Sequence, residues 1–404
     1  MRDGPASSSF QRPLERAVNL LGVTLVLAEL LRIATRGVRL QWDFRVYLEA
    51  ARAALAGFDP YRVENLIGIS GRPIPLPFLY PPAALAPFLA LAALQEPAAL
   101  ALWMGLKVLL VTFLVVLWKR VFVPRAGWFT VALVAVFGSN AAALWDLRSG
   151  NVALVEAALI WGGLACFVAG RRRAFAALIV LAATFKLAPA AFLLLLLVPT
   201  RGARARPGLL AAAVLALGAI VFLPLAAGPA AHWRGFLGGS LGGAFPVGAA
   251  NPSGFAYLAE RLGGVSALVI GCWLGWLLGL GLLSGGTLRA LGRAGDARAW
   301  SIAAVALYMV AHPRPMAYGW VLAGGALVAL IRAGAPTPIA RAGLVLLVCG
   351  QGLLWALQIA SDAPIVVYAP VLFGAGLWLL ASLQGAAGIL QIGESGALEA
   401  KPGG

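Results

Sequence analysis

Apolar runs of about 17 to 22 residues recur along the chain, separated by short connections that carry most of the arginine and lysine. About 20 apolar residues in a helix span the hydrocarbon core of a bilayer, because each residue adds about 1.5 Å. The pattern therefore predicts an all-α polytopic membrane protein, a bundle of about 12 transmembrane helices. The composition agrees, since 61% of the 404 residues are hydrophobic and only 11% are charged.

The basic residues form clusters between the runs, as cytoplasmic connections do. The clusters are Arg12/Arg16, Lys119/Arg120/Arg125, Arg171/Arg172/Arg173, Arg201/Arg204/Arg206, Arg289/Arg293/Arg298 and Arg332/Arg341. With both termini inside, the outward crossings are predicted near residues 14–35, 127–145, 174–185, 207–227, 299–311 and 342–361. The return crossings are predicted near residues 98–118, 152–170, 187–199, 264–284, 316–332 and 364–383. Arg36 and Arg39 oppose this orientation, because they fall outside.

The apolar stretch at residues 77–94 does not fit a full crossing, because counting it as one puts the Lys119 cluster on the wrong side. Its prolines Pro81, Pro82 and Pro87 remove amide donors and interrupt a helix. We therefore predict a re-entrant or interfacial segment here. The two crossings at 174–185 and 187–199 are short, which favours a tight hairpin around Lys186.

These assignments predict a single transmembrane domain over residues 1–390. Its larger outer loops are residues 36–97, which include the segment with the three prolines, and residues 228–263. The Gly-rich residues 391–404 are predicted to form a disordered cytoplasmic tail.

The net charge of +16 comes from the clusters between spans, which act as orientation signals, so we expect contacts with membrane lipids and none with nucleic acid. Cys166, Cys272 and Cys349 lie in three different apolar runs without CxxC spacing, so they read as core residues. No DxD motif with supporting ligands is present, and we predict that neither a metal ion nor a cofactor is bound.

A charged stretch after the first apolar run predicts an amphipathic juxtamembrane helix over residues 44–56. Arg45, Glu49 and Arg52 line its polar face. Asp43 precedes it and takes either of two roles, a plain helix N-cap or a catalytic carboxylate.

Other outer connections carry basic and hydrogen-bonding residues, a combination that suits the phosphate of a lipid carrier. The candidates for substrate binding are Arg148, Asn151, Lys186, Asn251 and Arg314, together with the aromatic residues Tyr47, Tyr61 and Tyr80. Each has a simpler alternative. Lys186 could snorkel, Asp146 and Arg148 could form a surface ion pair, and Asn251 with Ser253 could cap a helix over residues 254–262. The tyrosines could belong to an aromatic belt, and His312 could be an interfacial residue.

The order of several short motifs resembles glycosyltransferase family 87, whose best known members are polyprenyl-phosphate-mannose-dependent alpha-1,2-mannosyltransferases. The motifs are DFRVYLEAARAALAGFDPY, FLYPP, LRSGN, FKLAP, NPSG and AHPRPMAYGW, spread over roughly residues 40–320. The resemblance implies a GT-C-like bundle with an extracytoplasmic active site and an aspartate in the first outer loop, which matches Asp43. It also implies a role for His312 in a later outer loop, as a partner of the base or a ligand of the phosphate.

The resemblance implies an inverting hexosyltransferase, with mannose as the first choice of sugar, that uses a polyprenyl-phosphate donor and a lipid or glycan acceptor at a bacterial plasma membrane. Glucose, arabinose or an aminosugar are alternatives. A transporter or lipid flippase is the rival class, because about 12 helices with buried charges also occur in carriers. The polar residues favour an enzyme, since they gather in outer loops rather than at the midplane of two repeats.

Overall fold

A computed structural model describes residues 40–74, 76–227, 236–237, 251–334, 337–356 and 364–383, and six isolated positions between 20 and 35. Among them the secondary structure is helical, with an isolated bridge between Thr200 and Ala203. The all-α prediction is thus confirmed for the part of the chain that the structure describes. The predicted crossing 14–35, most of the loop 228–263 and the tail 391–404 lie outside it.

The helices follow the apolar runs closely. They are α1 (Trp42–Leu55), α2 (Val63–Ser70), α3 (Ala86–Ala92), α4 (Glu96–Leu117), α5 (Trp128–Ser149), α6 (Ala153–Val168), α7 (Arg172–Phe185), α8 (Pro207–Ala227), α9 (Gly254–Arg261), α10 (Ala267–Ala294), α11 (Ala297–Ala311), α12 (Gly324–Gly334), α13 (Pro338–Ala356) and α14 (Pro364–Leu383). Three 3-10 segments are Pro82–Leu85, Ala188–Leu197 and Ala317–Ala323, and a π-helical turn, Trp118–Phe122, extends α4.

Three helices of the described residues are long and apolar enough to span a membrane, namely Glu96–Phe122, Trp128–Ser149 and Ala267–Ala294. Several other apolar helices are shorter. The count of about 12 crossings is therefore not confirmed. Residues 77–94 contain only the 3-10 segment and α3, which together are too short for a crossing, and their depth in the membrane stays a prediction.

The predicted hairpin around Lys186 is present. The segment Ala188–Leu197 packs back along α7, and Arg172 at the start of α7 donates a hydrogen bond of 2.5 Å from its Nη2 to Oγ1 of Thr200. Because the two distant ends of the pair meet, the chain reverses between them. Lys186 therefore lies at the turn of the hairpin.

Helix α5 is interrupted where a regular crossing was predicted. Residues Ser139, Asn140 and Ala141 have φ values of 52°, 61° and 54°, in the left-handed region. Helix α13 packs closely at this break, because a Cβ on Gly352 would lie 2.1 Å from the carbonyl oxygen of Phe137. Only glycine permits this approach, so the break and α13 depend on each other.

The buried residues form two main clusters. The larger joins α4 to α7 with α11 to α14 and is the core of the bundle. The smaller is built around α1 and includes Phe44, Tyr47, Phe78, Phe88 and Trp103. Phe44 stacks on Trp103 with ring centroids 5.7 Å apart. This smaller cluster anchors α1 against α4, and so fixes where the carboxylate of Asp43 lies.

Candidate active site

Helix α1 begins two residues earlier than its pattern indicated, so the interpretation of Asp43 as an N-cap is wrong. Gln41 occupies the N-cap position without a side-chain cap, and Asp43 lies within the first turn. Gln41 instead donates from its backbone N–H to the carbonyl oxygen of Arg148 at 3.1 Å and from Nε2 to that of Leu147 at 2.7 Å. These hydrogen bonds connect the start of α1 to the end of α5. The Asp43 carboxylate does not cap the helix.

The predicted polar face of α1 also needs correction. Glu49 is buried rather than exposed, and its carboxylate accepts a hydrogen bond of 2.8 Å from Arg52. Arg52 also donates to the carbonyl oxygen of Leu94 at 3.0 Å. Helix α1 is enclosed by protein along most of its surface, because nine of its 14 residues are buried.

Four polar side chains from three parts of the chain form what we call the Asp43 cluster: Asp43, Tyr47, Tyr80 and Asn151. The Asn151 amide donates to Oδ2 of Asp43 at 3.0 Å and lies 2.8 Å from the Tyr47 hydroxyl and 3.2 Å from that of Tyr80. The two hydroxyls are 2.9 Å apart. Asn151 is completely buried, and Asp43 is 7% exposed. The carboxylate is thus held in one orientation by a neutral donor.

Burial raises the pKa of Asp43 to about 6. The hydrogen bond from Asn151 lowers this pKa, the negative charge of Asp146 raises it, and the positive charges of Lys107 and Lys186 lower it. Above pH 6 the carboxylate is ionised. A carboxylate with a pKa close to the working pH is well suited to accept a proton from a hydroxyl group.

Lys186 lies beside the Asp43 cluster. Its ammonium group donates to Oε2 of Glu156 at 2.6 Å, and it lies 6.0 Å from the ring centre of Tyr80 and 5.8 Å from that of Tyr318. The Lys186 side chain is half-buried, and a cation that is partly shielded from water attracts an anion more strongly than one in bulk solvent. The snorkelling interpretation is therefore wrong, since the charge is turned toward a buried carboxylate.

His312 follows α11, and its Nδ1 accepts a hydrogen bond of 3.0 Å from the backbone N–H of Arg314. Its ring packs edge to face on Tyr308 at 5.3 Å. Burial, assisted by the charge of Lys186, lowers the pKa of His312 to about 4, so the ring is neutral near pH 7. Since Nδ1 accepts, Nε2 carries the hydrogen and acts as a donor. Lys186 acts on both Asp43 and His312 and so lies within electrostatic range of both.

The connection around Asn251 is joined to the loop at residues 312–316, which contains His312. Asn251 accepts from Nε of Arg314 at 3.4 Å and donates to Sδ of Met316 at 3.0 Å. Ser253 caps α9 by accepting from the backbone N–H of Ala256 at 3.0 Å, as expected, whereas Asn251 does not share that role. The Ser253 hydroxyl also donates to the carbonyl oxygen of Pro313 at 2.5 Å. These bonds tie the two connections together beside His312.

Two predicted ligands have contacts that support the cluster from its edges. Tyr61 donates to the backbone carbonyl oxygen of Tyr80 at 2.9 Å. The Arg148 guanidinium lies 5.5 Å from the centre of the Trp145 ring. The Arg148 carbonyl oxygen accepts a hydrogen bond from the backbone N–H of Gln41. The suggested surface pair of Arg148 with Asp146 is wrong, because Asp146 is completely buried and binds Lys107. Direct roles for Tyr61 and Arg148 in substrate binding stay predictions.

The sequence analysis missed Trp103, Lys107 and Glu156. Lys107 and Glu156 are charged residues inside predicted crossings, and an ionisable residue within a span marks a candidate functional site by itself. That signal was available. Trp103 had none, because its role depends on a hydrogen bond to the carbonyl oxygen of Gly150 across the fold.

No group of three or more His, Cys, Asp or Glu side chains that could hold a metal ion occurs in the part of the chain that the structure describes. Metal-independent chemistry stays a prediction. The Asp43 cluster and the half-buried Lys186 beside it instead offer one base, one neutral donor and one cation, which are groups that suit a transfer between two oxygen atoms.

Comparison with known proteins gives one family. No curated protein and no solved structure matches the chain. A family model, glycosyltransferase family 87, matches residues 78–313, a range that includes Tyr80, Asn151, Lys186, Asn251 and His312 and leaves out Asp43. The matched range is more than half of the 404 residues, so this membrane protein belongs to glycosyltransferase family 87.

Proposed function

We propose that the protein is an inverting glycosyltransferase that moves a hexose, mannose first among them, from a polyprenyl-phosphate donor to a lipid or glycan acceptor. The observation that carries the proposal is the Asp43 carboxylate, buried and oriented by Asn151 within electrostatic range of the Lys186 cation. A buried base and a nearby half-buried cation match the two charges that the transfer generates.

The reaction is a single displacement at the anomeric carbon of the donor sugar. The acceptor hydroxyl oxygen forms the new C–O bond while its proton passes to Asp43. The C–O bond to the polyprenyl phosphate breaks, and its electron pair stays on the phosphate oxygen. Attack opposite the departing phosphate inverts the configuration. Because phosphate leaves as a stable anion, a general acid is not needed.

The departing phosphate requires positive charge and hydrogen-bond donors. Lys186 supplies the charge, and it exchanges Glu156 for the phosphate when the donor enters. His312 is neutral, so it contributes Nε2–H as a donor rather than a second base. Arg148, Asn251 and Arg314 complete the phosphate site, and the rings of Tyr47, Tyr61 and Tyr80 face the apolar side of the sugar.

We place the reaction on the extracytoplasmic face of the bacterial plasma membrane. The arginine clusters mark the cytoplasmic side, and Asp43, Asn151, Lys186 and His312 all lie in or beside connections that the same rule puts on the other side. A long-chain prenyl donor can reach such a site from within the bilayer. No observation favours the transporter alternative over this proposal.

The proposal is tested with membranes that contain the protein and a labelled polyprenyl-phosphate mannose. We expect the label to appear in a new glycosidic bond with inverted configuration. Asp43→Asn should lower the rate about a thousandfold. Asp59→Asn is the matched control, because Asp59 accepts a local hydrogen bond from Tyr61 N–H at 2.9 Å that asparagine also accepts. Movement of the intact labelled donor across the membrane without a new bond contradicts the proposal.

A further inference from the structure

Helix α4 makes a two-point contact with the turn that carries Asn151. Trp103 donates from Nε1 to the carbonyl oxygen of Gly150 at 3.0 Å. One helical turn along, Lys107 donates to the carbonyl oxygen of Asp146 at 2.9 Å and also binds Oδ2 of the same residue. Residues four apart lie on one face of a helix, so both side chains approach the turn together.

The turn is closed from its other side by Asp146. Its Oδ1 accepts from the backbone N–H of Ala153 at 3.1 Å, in the first turn of α6. Asp146 therefore joins the end of α5 to the start of α6, with Lys107 bound to its second oxygen. Within the turn, the backbone N–H of Asn151 donates to Oγ of Ser149 at 3.1 Å.

The conformation of the turn is restricted by the backbone of Gly150 and by close contact with α1. Gly150 has a φ of 78°, and a Cβ there would lie 2.6 Å from both Oε1 of Gln41 and Cβ of Phe44. The turn is thus pressed against the start of α1, where Asp43 lies. A small displacement of Asn151 breaks its 3.0 Å bond to the Asp43 carboxylate.

Lys107 and Asp146 are each completely buried. A buried ion pair is costly and adds little to stability compared with apolar residues of the same size. The pair is therefore better suited to another role, and its position indicates which one. The pair occupies the base of the turn whose tip contacts Asp43.

We propose that Trp103, Lys107 and Asp146 are positioning residues that hold Asn151 against the base. They form a clamp, defined by these three side chains, and Asn151 is the group through which the clamp acts on Asp43. This role rests on the proposed function, since it takes Asp43 as the base. The position of Asn151 can nevertheless be measured without any turnover.

The measurement is the titration of the Asp43 carboxyl group by infrared spectroscopy of the purified full chain in lipid nanodiscs. The band of the protonated carboxyl is assigned by its absence in Asp43→Asn. The groups that act on this titration are Asn151, Asp146, Lys107 and Lys186, and the hydroxyls of Tyr47, Tyr80 and Tyr318 are close by. Asn151→Leu should raise the midpoint by about one pH unit, because the ionised form loses a hydrogen bond.

Trp103→Phe is the central variant, because it removes one N–H without changing any charge and keeps an aromatic ring. We expect it to raise the midpoint in the wild-type background and to leave it unchanged in the Asn151→Leu background. Lys107→Met should also raise the midpoint, by less in the Asn151→Leu background, where only the loss of its positive charge acts. Trp128→Phe, on an exposed tryptophan at the start of α5, is the matched control and should have no effect.

Equal shifts in both backgrounds, or no shift from Trp103→Phe, overturn the clamp. If Lys107→Met does not fold, the Trp103→Phe cycle decides alone. The sugar-transfer assay on the same samples separates the two proposals. If the wild type transfers no sugar but the titration midpoints follow the expected cycle, the proposed function is refuted and the clamp is supported. If sugar transfer depends on Asp43 but the titration midpoints do not follow the expected cycle, only the clamp is refuted.

Discussion

The connections near Asp43 and the arginine-rich connections differ in how far their charged side chains are exposed. Around Asp43 the ionisable side chains are paired and mostly buried: Lys107 and Asp146 are completely buried, and the half-buried Lys186 binds the buried Glu156. In the arginine-rich connections most side chains are exposed, including Arg125, Arg171, Arg173, Arg201, Arg204, Arg206, Arg289 and Arg293. Those that bind protein mostly contact backbone, as Arg201 does with the carbonyl oxygen of Ala294 at 2.8 Å.

This difference indicates that the paired charges near Asp43 serve catalysis, whereas the exposed arginines orient the protein in the membrane. Exposed arginine costs little, and positive charge in short connections is enough to orient a membrane protein. Buried ions lose hydration, and only close pairing and further hydrogen bonds offset that loss, so they add little to stability. The buried set is therefore the part of the molecule in which substitutions should alter catalysis, and the exposed set is the part in which they should not.

The largest contrast is expected between two lysines. Lys186→Met removes the half-buried cation and should lower kcat/KM for the donor about a hundredfold to a thousandfold, because the departing phosphate loses its counter-charge. Lys119→Met, in the π-helical turn after α4, should change it less than about twofold. A sugar-transfer assay over a range of donor concentrations measures both. Equal losses at the two lysines would remove the distinction.

Two glycines with left-handed backbones give the next contrast. Gly150 and Gly170 have φ values of 78° and 74°, so alanine strains each backbone by about 1 to 2 kcal/mol. Only at Gly150 does the new Cβ also collide with α1. Gly150→Ala should reduce turnover about tenfold to a hundredfold by displacing the Asn151 turn.

Gly170→Ala supplies the control for that experiment. We expect it to lower the thermal unfolding temperature in detergent slightly, with turnover unchanged, because nothing lies within 4 Å of its new Cβ. Loss of activity in both variants would show that general destabilisation, rather than position, causes the effect at Gly150.

Substitutions at His312 test whether His312 or Asp43 sets the pH midpoint of activity. His312→Phe should lower kcat/KM about tenfold through loss of one donor to a charged group, and His312→Gln should recover part of this. An ordinary histidine titrates near the same pH as the raised Asp43. Since the pKa of His312 is lowered to about 4, the pH midpoint of activity should not change in His312→Phe. A midpoint that disappears with the histidine would reassign the titration.

The smallest effect is expected from the exposed set. Arg204→Gln should leave kcat/KM within about twofold of the wild type, because an exposed charge is screened by solvent and salt. The same transfer assay, corrected for the amount of protein in the membrane, measures it. A loss as large as that of Lys186→Met would show that the arginine-rich connections take part in catalysis.

Local pattern predicted the helices well. The segment predicted near 98–118 is the helix Glu96–Leu117, and that near 152–170 is the helix Ala153–Val168, which is shorter than a full span. The prolines at 81, 82 and 87 correctly indicated an interrupted segment, since they act on the backbone next to them. Such features depend on neighbours in sequence, and so they can be read from it.

Pairings across the fold could not be predicted in this way. Asp146 was matched with the nearby Arg148, whereas its partner is Lys107, 39 residues away in sequence. The break in α5 likewise depends on the approach of Gly352 from another helix. The candidates Asp43, Asn151 and Lys186 were found because they are polar residues at the ends of apolar runs. Their contacts with one another follow from how the bundle packs.

The pH dependence of kcat/KM, measured for the wild type and Asp43→Asn with one labelled polyprenyl-phosphate sugar, tests the central claim most directly. Burial raises the pKa of Asp43 to about 6, and only the ionised carboxylate accepts the proton. The wild-type rate should therefore be constant above pH 7 and fall about tenfold per unit well below pH 6, whereas the residual rate of Asp43→Asn should lack this midpoint. An Asp43→Asn variant that is nearly as fast as the wild type, with the same midpoint, would contradict the account.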